Sequence, residues 1–292
     1  MNELKDDVNA KILRQAIYVA FAYILFSFAI MVAKPLHMRH APLFARLVYF
    51  LSPTIVFMFL QLAAPMSVVR IKMRLRHEIV LAVVFGAAWA VCAYSLQHYK
   101  IRSLYTNATI TVITNIALTV CLAAFGCLLS RIVREAKILF PISIVAGLID
   151  IVGAMTPVGF TAHVVQHSMK TVASVSVKVP VYHNIQLINT IGPGDLLFIA
   201  FFFAVVTHHG MNVKGTFWMV YAALLLSLFA IMSPYVSQIG ALAPMGVAVA
   251  VSNYKYFKFT REETFAMIYA GTIALVCALS FFLYTHYHVF NH

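Results

Sequence analysis

Nine runs of apolar residues follow one another along this chain, at roughly 12–33, 43–69, 79–97, 107–129, 138–156, 190–207, 215–232, 236–252 and 264–287. Each is close to the ~20 residues that an α-helix needs to cross the hydrocarbon core of a bilayer. Lipid offers no hydrogen bonds, so a spanning segment must pair its own backbone groups, and a helix does that within itself. Composition agrees. Hydrophobic residues make up 62% of the 292 residues and charged ones only 10%, against about 25% charged in soluble domains. The expected fold is therefore all-α: a polytopic helical membrane protein with about nine transmembrane helices. Pro53 and Pro65 predict a kink or tilt in the second run. The seventh and eighth runs are separated only at Ser233-Pro234, so a merged count of eight stays open. Residues 1–137 read as about four N-terminal spans and 138–292 as a second region with the chemically distinctive residues.

The formal charge of +12 is not that of a nucleic-acid binder. The basic residues sit in short clusters between apolar runs, as in Arg70-Ile71-Lys72-Met73-Arg74-Leu75-Arg76, the pattern of cytoplasmic loops. Lys and Arg in the loops on the N-terminal side, which include 70–76, 131–137 and 255–261, outnumber those in the alternate loops around Lys34, Lys100 and Lys170. By the positive-inside rule this predicts a cytoplasmic N-terminus, in the plasma membrane as the generic location. The first run lacks a small-x-small cleavage site before the next basic loop and reads as a retained span. Cys92, Cys121, Cys127 and Cys277 lie inside apolar runs without a C-x-x-C, so neither a disulfide framework nor a zinc site is indicated.

Of nine acidic residues, only Asp150 and Asp195 are embedded in apolar sequence. A carboxylate at mid-membrane costs from about 2.5 kcal/mol upward, so two such residues imply a role. Asp150 lies near the end of one run and Asp195 near the start of the next. Consecutive spans run antiparallel, so the two carboxyls can sit at similar depth. Facing carboxyls share one proton, because both cannot ionise cheaply. One member then deprotonates water while the other polarises a carbonyl, the logic of aspartic proteases. Two alternatives remain open on the residues alone: each acid hydrogen-bonds a neighbouring helix, or the two act as proton sites in a proton-coupled transporter or channel. The stretch 157–189 joins the two runs, and its segment 171–179 alternates apolar with small or polar residues, as an edge strand able to pair with an extended peptide would.

Around Asp195 the sequence reads Gly192-Pro193-Gly194-Asp195, a G-x-G-D at the start of an apolar run. Asp150 is followed by Pro157-Val158-Gly159, and a later run holds Ala241-Leu242-Ala243-Pro244-Met245-Gly246. In type, order and spacing these three landmarks resemble the presenilin and signal peptide peptidase superfamily, the GxGD intramembrane aspartyl proteases. There a Pro-Ala-Leu stands where Pro244-Met245-Gly246 stands here. An aromatic residue usually precedes the first aspartate, where this chain has Ile149. The resemblance covers roughly 138–252. The outside placement of the loop between the aspartates is closer to signal peptide peptidases.

The resemblance implies hydrolysis of peptide bonds within transmembrane segments of membrane proteins or signal peptides, with Asp150 and Asp195 catalytic. It implies substrate binding by Gly192, Pro193, Gly194, Ala243, Pro244 and Met245. The partners are then a transmembrane substrate and the lipid bilayer, and neither metal nor organic cofactor is needed. Pro244 lacks a donor and suits a local unwinding that opens backbone to a peptide. Among the twelve histidines, His163 and His167 are spaced i,i+4, as zinc ligands on a helix can be. No acidic or Cys partner lies nearby, so an interfacial role is the expectation, as for His208, His209, His286, His288 and His292 at span ends.

Overall fold

The computed structural model describes residues 2–33, 42–71, 73–98, 103–155, 176–179, 190–231 and 240–290. Nine α-helices occur among these residues: α1 Asn2–Val32, α2 Leu43–Arg70, α3 Leu75–His98, α4 Leu104–Ser130, α5 Leu139–Met155, α6 Pro193–His208, α7 Val213–Ile231, α8 Leu242–Ser252 and α9 Arg261–Phe290. Each overlaps one apolar run. The chain is thus an all-α protein. Five stretches are long and apolar enough to cross a membrane: Ala10–Val32, Leu51–Arg70, Leu75–His98, Leu104–Ser130 and Val213–Ile231. α6 and α8 are apolar but shorter. α2 is one continuous helix through Pro53 and Pro65.

Helix ends follow local chemistry. Thr260 and Glu263 form a reciprocal capping box at the start of α9: Glu263 Oε2 accepts from Thr260 N at 2.9 Å, and Glu263 N donates to Thr260 Oγ1 at 3.3 Å. Asn212 caps α7 by accepting from Gly215 N at 3.0 Å. α6 stops at Gly210, whose φ of 62° is the only positive one among the described residues. There Met211 N donates to Val206 O at 2.9 Å, closing a Schellman-type turn that glycine accommodates without a Cβ clash.

The chain forms two compact units, residues 1–129 with 173–204, and residues 130–172 with 205–292. The segment 173–204 belongs with the N-terminal helices, so the units interleave along the chain. In the first unit, Tyr23 of α1 stacks near Phe57 of α2, with ring centres 5.5 Å apart. Its hydroxyl donates to Gln61 Oε1 at 2.8 Å. Gln61 Nε2 donates to Thr119 of α4 at 3.0 Å. Gly126 lets α4 approach α6, since a Cβ there would fall 2.6 Å from Ala200 Cβ and 2.7 Å from Phe201 N. Two short antiparallel strands, β1 (Val177–Lys178) and β2 (Thr190–Ile191), pair Val177 with Ile191 and Lys178 with Thr190. From Ile199 to Ala204, α6 is buried on every face. α1 and α3 instead present Ile17, Tyr18, Phe21, Val80, Val83 and Val91 outward, apolar faces that a bilayer covers.

In the second unit, the short 3₁₀ turn Ala136–Ile138 leads into α5. Lys137 joins Glu135, 2.9 Å away, and Glu263 at the start of α9. Phe140 packs beside Phe257 and Phe259. Asn253, wholly buried, closes α8 onto α7: its Oδ1 accepts from Asn212 N at 3.1 Å and its Nδ2 donates to Thr216 Oγ1 at 2.7 Å.

Candidate active site

On α5, Gly147 follows Ser143 by four residues and Asp150 follows Gly147 by three, a spacing that puts all three on one helix face. That face meets α8 in antiparallel register. Gly246 backs onto the carbonyl of Ser143, and a Cβ on Gly147 would lie 3.3 Å from Ala243 Cα. Small residues let helix backbones touch where lipid gives no hydrophobic drive for association. The close crossing delivers the Asp150 carboxylate to the N-terminus of α8. Oδ2 accepts from Leu242 N at 2.7 Å and from Ala243 N at 3.3 Å.

Those two bonds account for the start of α8. The first four N–H groups of a helix have no partner within it. Leu242 and Ala243 give theirs to Asp150. Pro244 has none to give. Met245 N donates to Ala241 O at 3.3 Å, the first bond inside the helix. Pro244 therefore occupies the first turn, where its missing donor costs nothing. This corrects the expectation of an unwound segment at Pro244: the proline starts a helix here. Hydrogen bonds to a charged acceptor contribute about 1.5–3 kcal/mol each, and the helix dipole adds to the preference for an anion at this end. Gly240 completes the arrangement. A Cβ there would overlap Cγ and both oxygens of the Asp150 side chain.

Asp195 is the third residue of α6, after Pro193 and Gly194. Pro193 at the first helical position is pre-set for the helix and lacks a donor that would go unused. Leu196 N donates to Gly192 O at 3.4 Å. The Asp195 carboxylate turns back toward Gly192, where a Cβ would come within 3.2 Å of Oδ2. It too sits at the positive end of a short apolar helix. Gly194 is exposed, and a Cβ on it would meet nothing within 4 Å. Packing around Gly194 thus leaves room for a side chain that the sequence does not supply.

Asp150, Ala243, Pro244 and Met245 are gathered in the second unit; Gly192, Pro193, Gly194 and Asp195 are contiguous in the first. Met245 is fully buried, which departs from its assignment to substrate binding. Pro157, Gly159, His163, His167 and residues 171–175 lie outside the described residues. His208 and His209 end α6, and His209 Nε2 lies 3.1 Å from Val133 O. Among the described residues, no three His, Cys, Asp or Glu gather as a metal site would. Sequence reasoning missed Gly240 and Gly147, and gave Leu242 and Gly246 no role beyond their place in the Pro244 landmark. The Ser143-x-x-x-Gly147 spacing was the signal that could have found the helix contact.

No protein family, curated protein or solved structure matches the chain.

Proposed function

We propose that this protein is an intramembrane aspartyl protease of the presenilin-like, GxGD type. Asp150 and Asp195 are its catalytic pair, and transmembrane segments of membrane proteins or signal peptides are its substrates. One observation carries the reading: the Asp150 carboxylate holds the N-terminus of the helix that bears Ala243 and Pro244. Two landmarks 92 residues apart in sequence are thereby one cluster. Other features support it. Both embedded acids stand at N-termini of short apolar helices that carry a proline in the first turn. The open flank of Gly194 leaves space for a peptide backbone beside Asp195.

In this mechanism, one carboxylate takes a proton from a water held between the pair. The resulting hydroxide adds to a scissile carbonyl carbon of an unwound substrate helix, while the partner carboxyl gives its proton to the carbonyl oxygen. The gem-diol collapses as the C–N bond breaks: the first carboxyl returns its proton to the amine nitrogen, and the partner carboxylate takes the proton of one diol hydroxyl as the new C=O forms, which restores the shared-proton pair. The side chains of the chain itself perform every step. The reading includes about nine transmembrane segments along the chain, with the N-terminus in the cytoplasm and the plasma membrane as the site of action.

The test is direct. Purified protein in lipid vesicles is given a synthetic transmembrane helix, and products are read by mass spectrometry. The wild type cleaves it; Asp150→Asn and Asp195→Asn do not. Undiminished cleavage by either variant rejects the assignment. Proton-driven uptake of a solute into the same vesicles, without cleavage, would replace it with a transporter.

A further inference from the structure

We propose that Asn115 is a positioning residue for Asp195, holding the strand pair that leads into the G-x-G-D at one depth and one register; this rests on the protease reading above. Asn115 lies in α4 and is 1% exposed. Its side-chain Nδ2 donates to Lys178 O at 2.8 Å, and its Oδ1 accepts from Lys178 N at 3.0 Å. One amide thus satisfies both backbone groups of one strand residue, as a neighbouring strand would. Successive strand residues direct their backbone groups to opposite edges. Lys178 turns its pair to Asn115, and Val177 turns its own toward Ile191 of β2, its partner in register.

The location gives this clamp its consequence. At about 1.5 Å per residue, Asn115 is roughly 16 Å along α4 from Leu104. A strand at that depth has two edges of polar groups that lipid cannot satisfy. β2 covers one edge, and Asn115 covers the other at Lys178. Val177 and Val179 beside it are buried. Ile191 of β2 leads directly through Gly192, Pro193 and Gly194 to Asp195. A shift of β1 is therefore passed through the β1–β2 register to the acid. The segment 171–179, expected as an edge for an incoming peptide, has that edge occupied at Lys178.

One turn along α4 runs a second buried polar link that reaches the Asn115 backbone carbonyl and not its side-chain amide. Thr119, one turn on, donates to Asn115 O at 2.8 Å and accepts from Gln61, which accepts from Tyr23. Gln61 braces α1, α2 and α4 without touching the strand, and so provides the control.

The experiment compares Asn115→Leu, Asn115→Gln and Gln61→Leu in vesicles with the synthetic transmembrane helix, at temperatures set to equal distances below each melting point. A displacement of about 1 Å at a reacting group costs on the order of 100-fold in rate. Asn115→Leu is expected to lower kcat about 100-fold with KM little changed, as loss of an interaction that matters in the transition state does. Asn115→Gln restores part of it, and Gln61→Leu retains the wild-type kcat. Amide exchange of the peptide containing 176–179 is measured in parallel and is expected to accelerate only in the Asn115 variants. Equal kcat losses in Asn115→Leu and Gln61→Leu, or unchanged exchange at 176–179, would overturn the positioning role. A wild-type protein that cleaves nothing removes the reaction and the positioning role together. The exchange data then still report whether Asn115 holds β1, so the two failures are told apart.

Discussion

Gly240→Ala adds one methyl group, and the structure puts that methyl onto the Asp150 carboxylate. Nothing else about the acid changes. The carboxylate must leave Leu242 N and Ala243 N, or the start of α8 must move away from α5. Either way the two bonds on Oδ2 are lost. At the lower end of about 1.5–3 kcal/mol for each charge-assisted bond, the loss is about 3 kcal/mol. Overpacking of about 1–3 kcal/mol is an alternative to this loss and not an addition, because the carboxylate relieves the overlap by moving. With about 2–4 °C of melting temperature per kcal/mol in chains of this size, the melting point drops by about 6–12 °C. On the proposed protease reading, cleavage falls by about 100-fold, since the acid is displaced by an ångström or more. Thermal unfolding in detergent and cleavage in vesicles are the assays. A double-mutant cycle isolates the cause: in an Asp150→Ala background the methyl meets no carboxylate, so Gly240→Ala costs little there. Wild-type melting and cleavage in Gly240→Ala, or the same cost in both backgrounds, would refute the capping of α8 by Asp150.

Gly194→Ala gives the opposite pattern. Its Cβ meets nothing within 4 Å, so the melting point stays at the wild-type value while cleavage of a transmembrane substrate falls; an unchanged cleavage rate would remove Gly194 from the substrate path. Gly126→Ala forces α4 away from Ala200 and Phe201, and overpacking at a backbone contact costs about 1–3 kcal/mol, seen as a lower melting point. The Glu263 carboxyl is held below its ordinary range, first by the hydrogen bond from Lys137. Its contribution to stability is therefore present above the ordinary carboxylate pKa and is lost as pH falls through the lowered value. Lys137 is held above its ordinary range, chiefly by Glu263, so its share is lost only as pH rises through that raised value. Glu263→Gln is expected to flatten both limbs in a series of melting curves against pH.

The all-α nature of the chain was legible in the sequence because a membrane imposes it. Runs of about 20 apolar residues must bond their own backbone, and that requirement needs no knowledge of neighbours. Several boundaries were equally local. Thr260 with Glu263, Asn212 before α7, and Gly210 after α6 are caps whose chemistry is complete within a few residues. The two embedded acids were legible for the same reason, since their cost in lipid depends on burial and not on partners.

Which faces meet was not legible. A helix that is apolar all round, as α6 is, carries no polar stripe to show which side faces inward. The information sits instead in small residues, such as Gly126, Gly147 and Gly246, whose meaning depends on what crosses them. Only the tertiary structure brought Asp150 to the first turn of α8 and made Gly240 obligatory. The same is true of Pro244, which by itself reads as a break in a helix and in place begins one. Asn115 lies far in sequence from Lys178, and no local rule connects a buried amide in α4 with a strand before Asp195. Backbone self-sufficiency in lipid made the helices readable residue by residue, whereas the contacts that aim the acids depend on pairs of surfaces that come together only on folding.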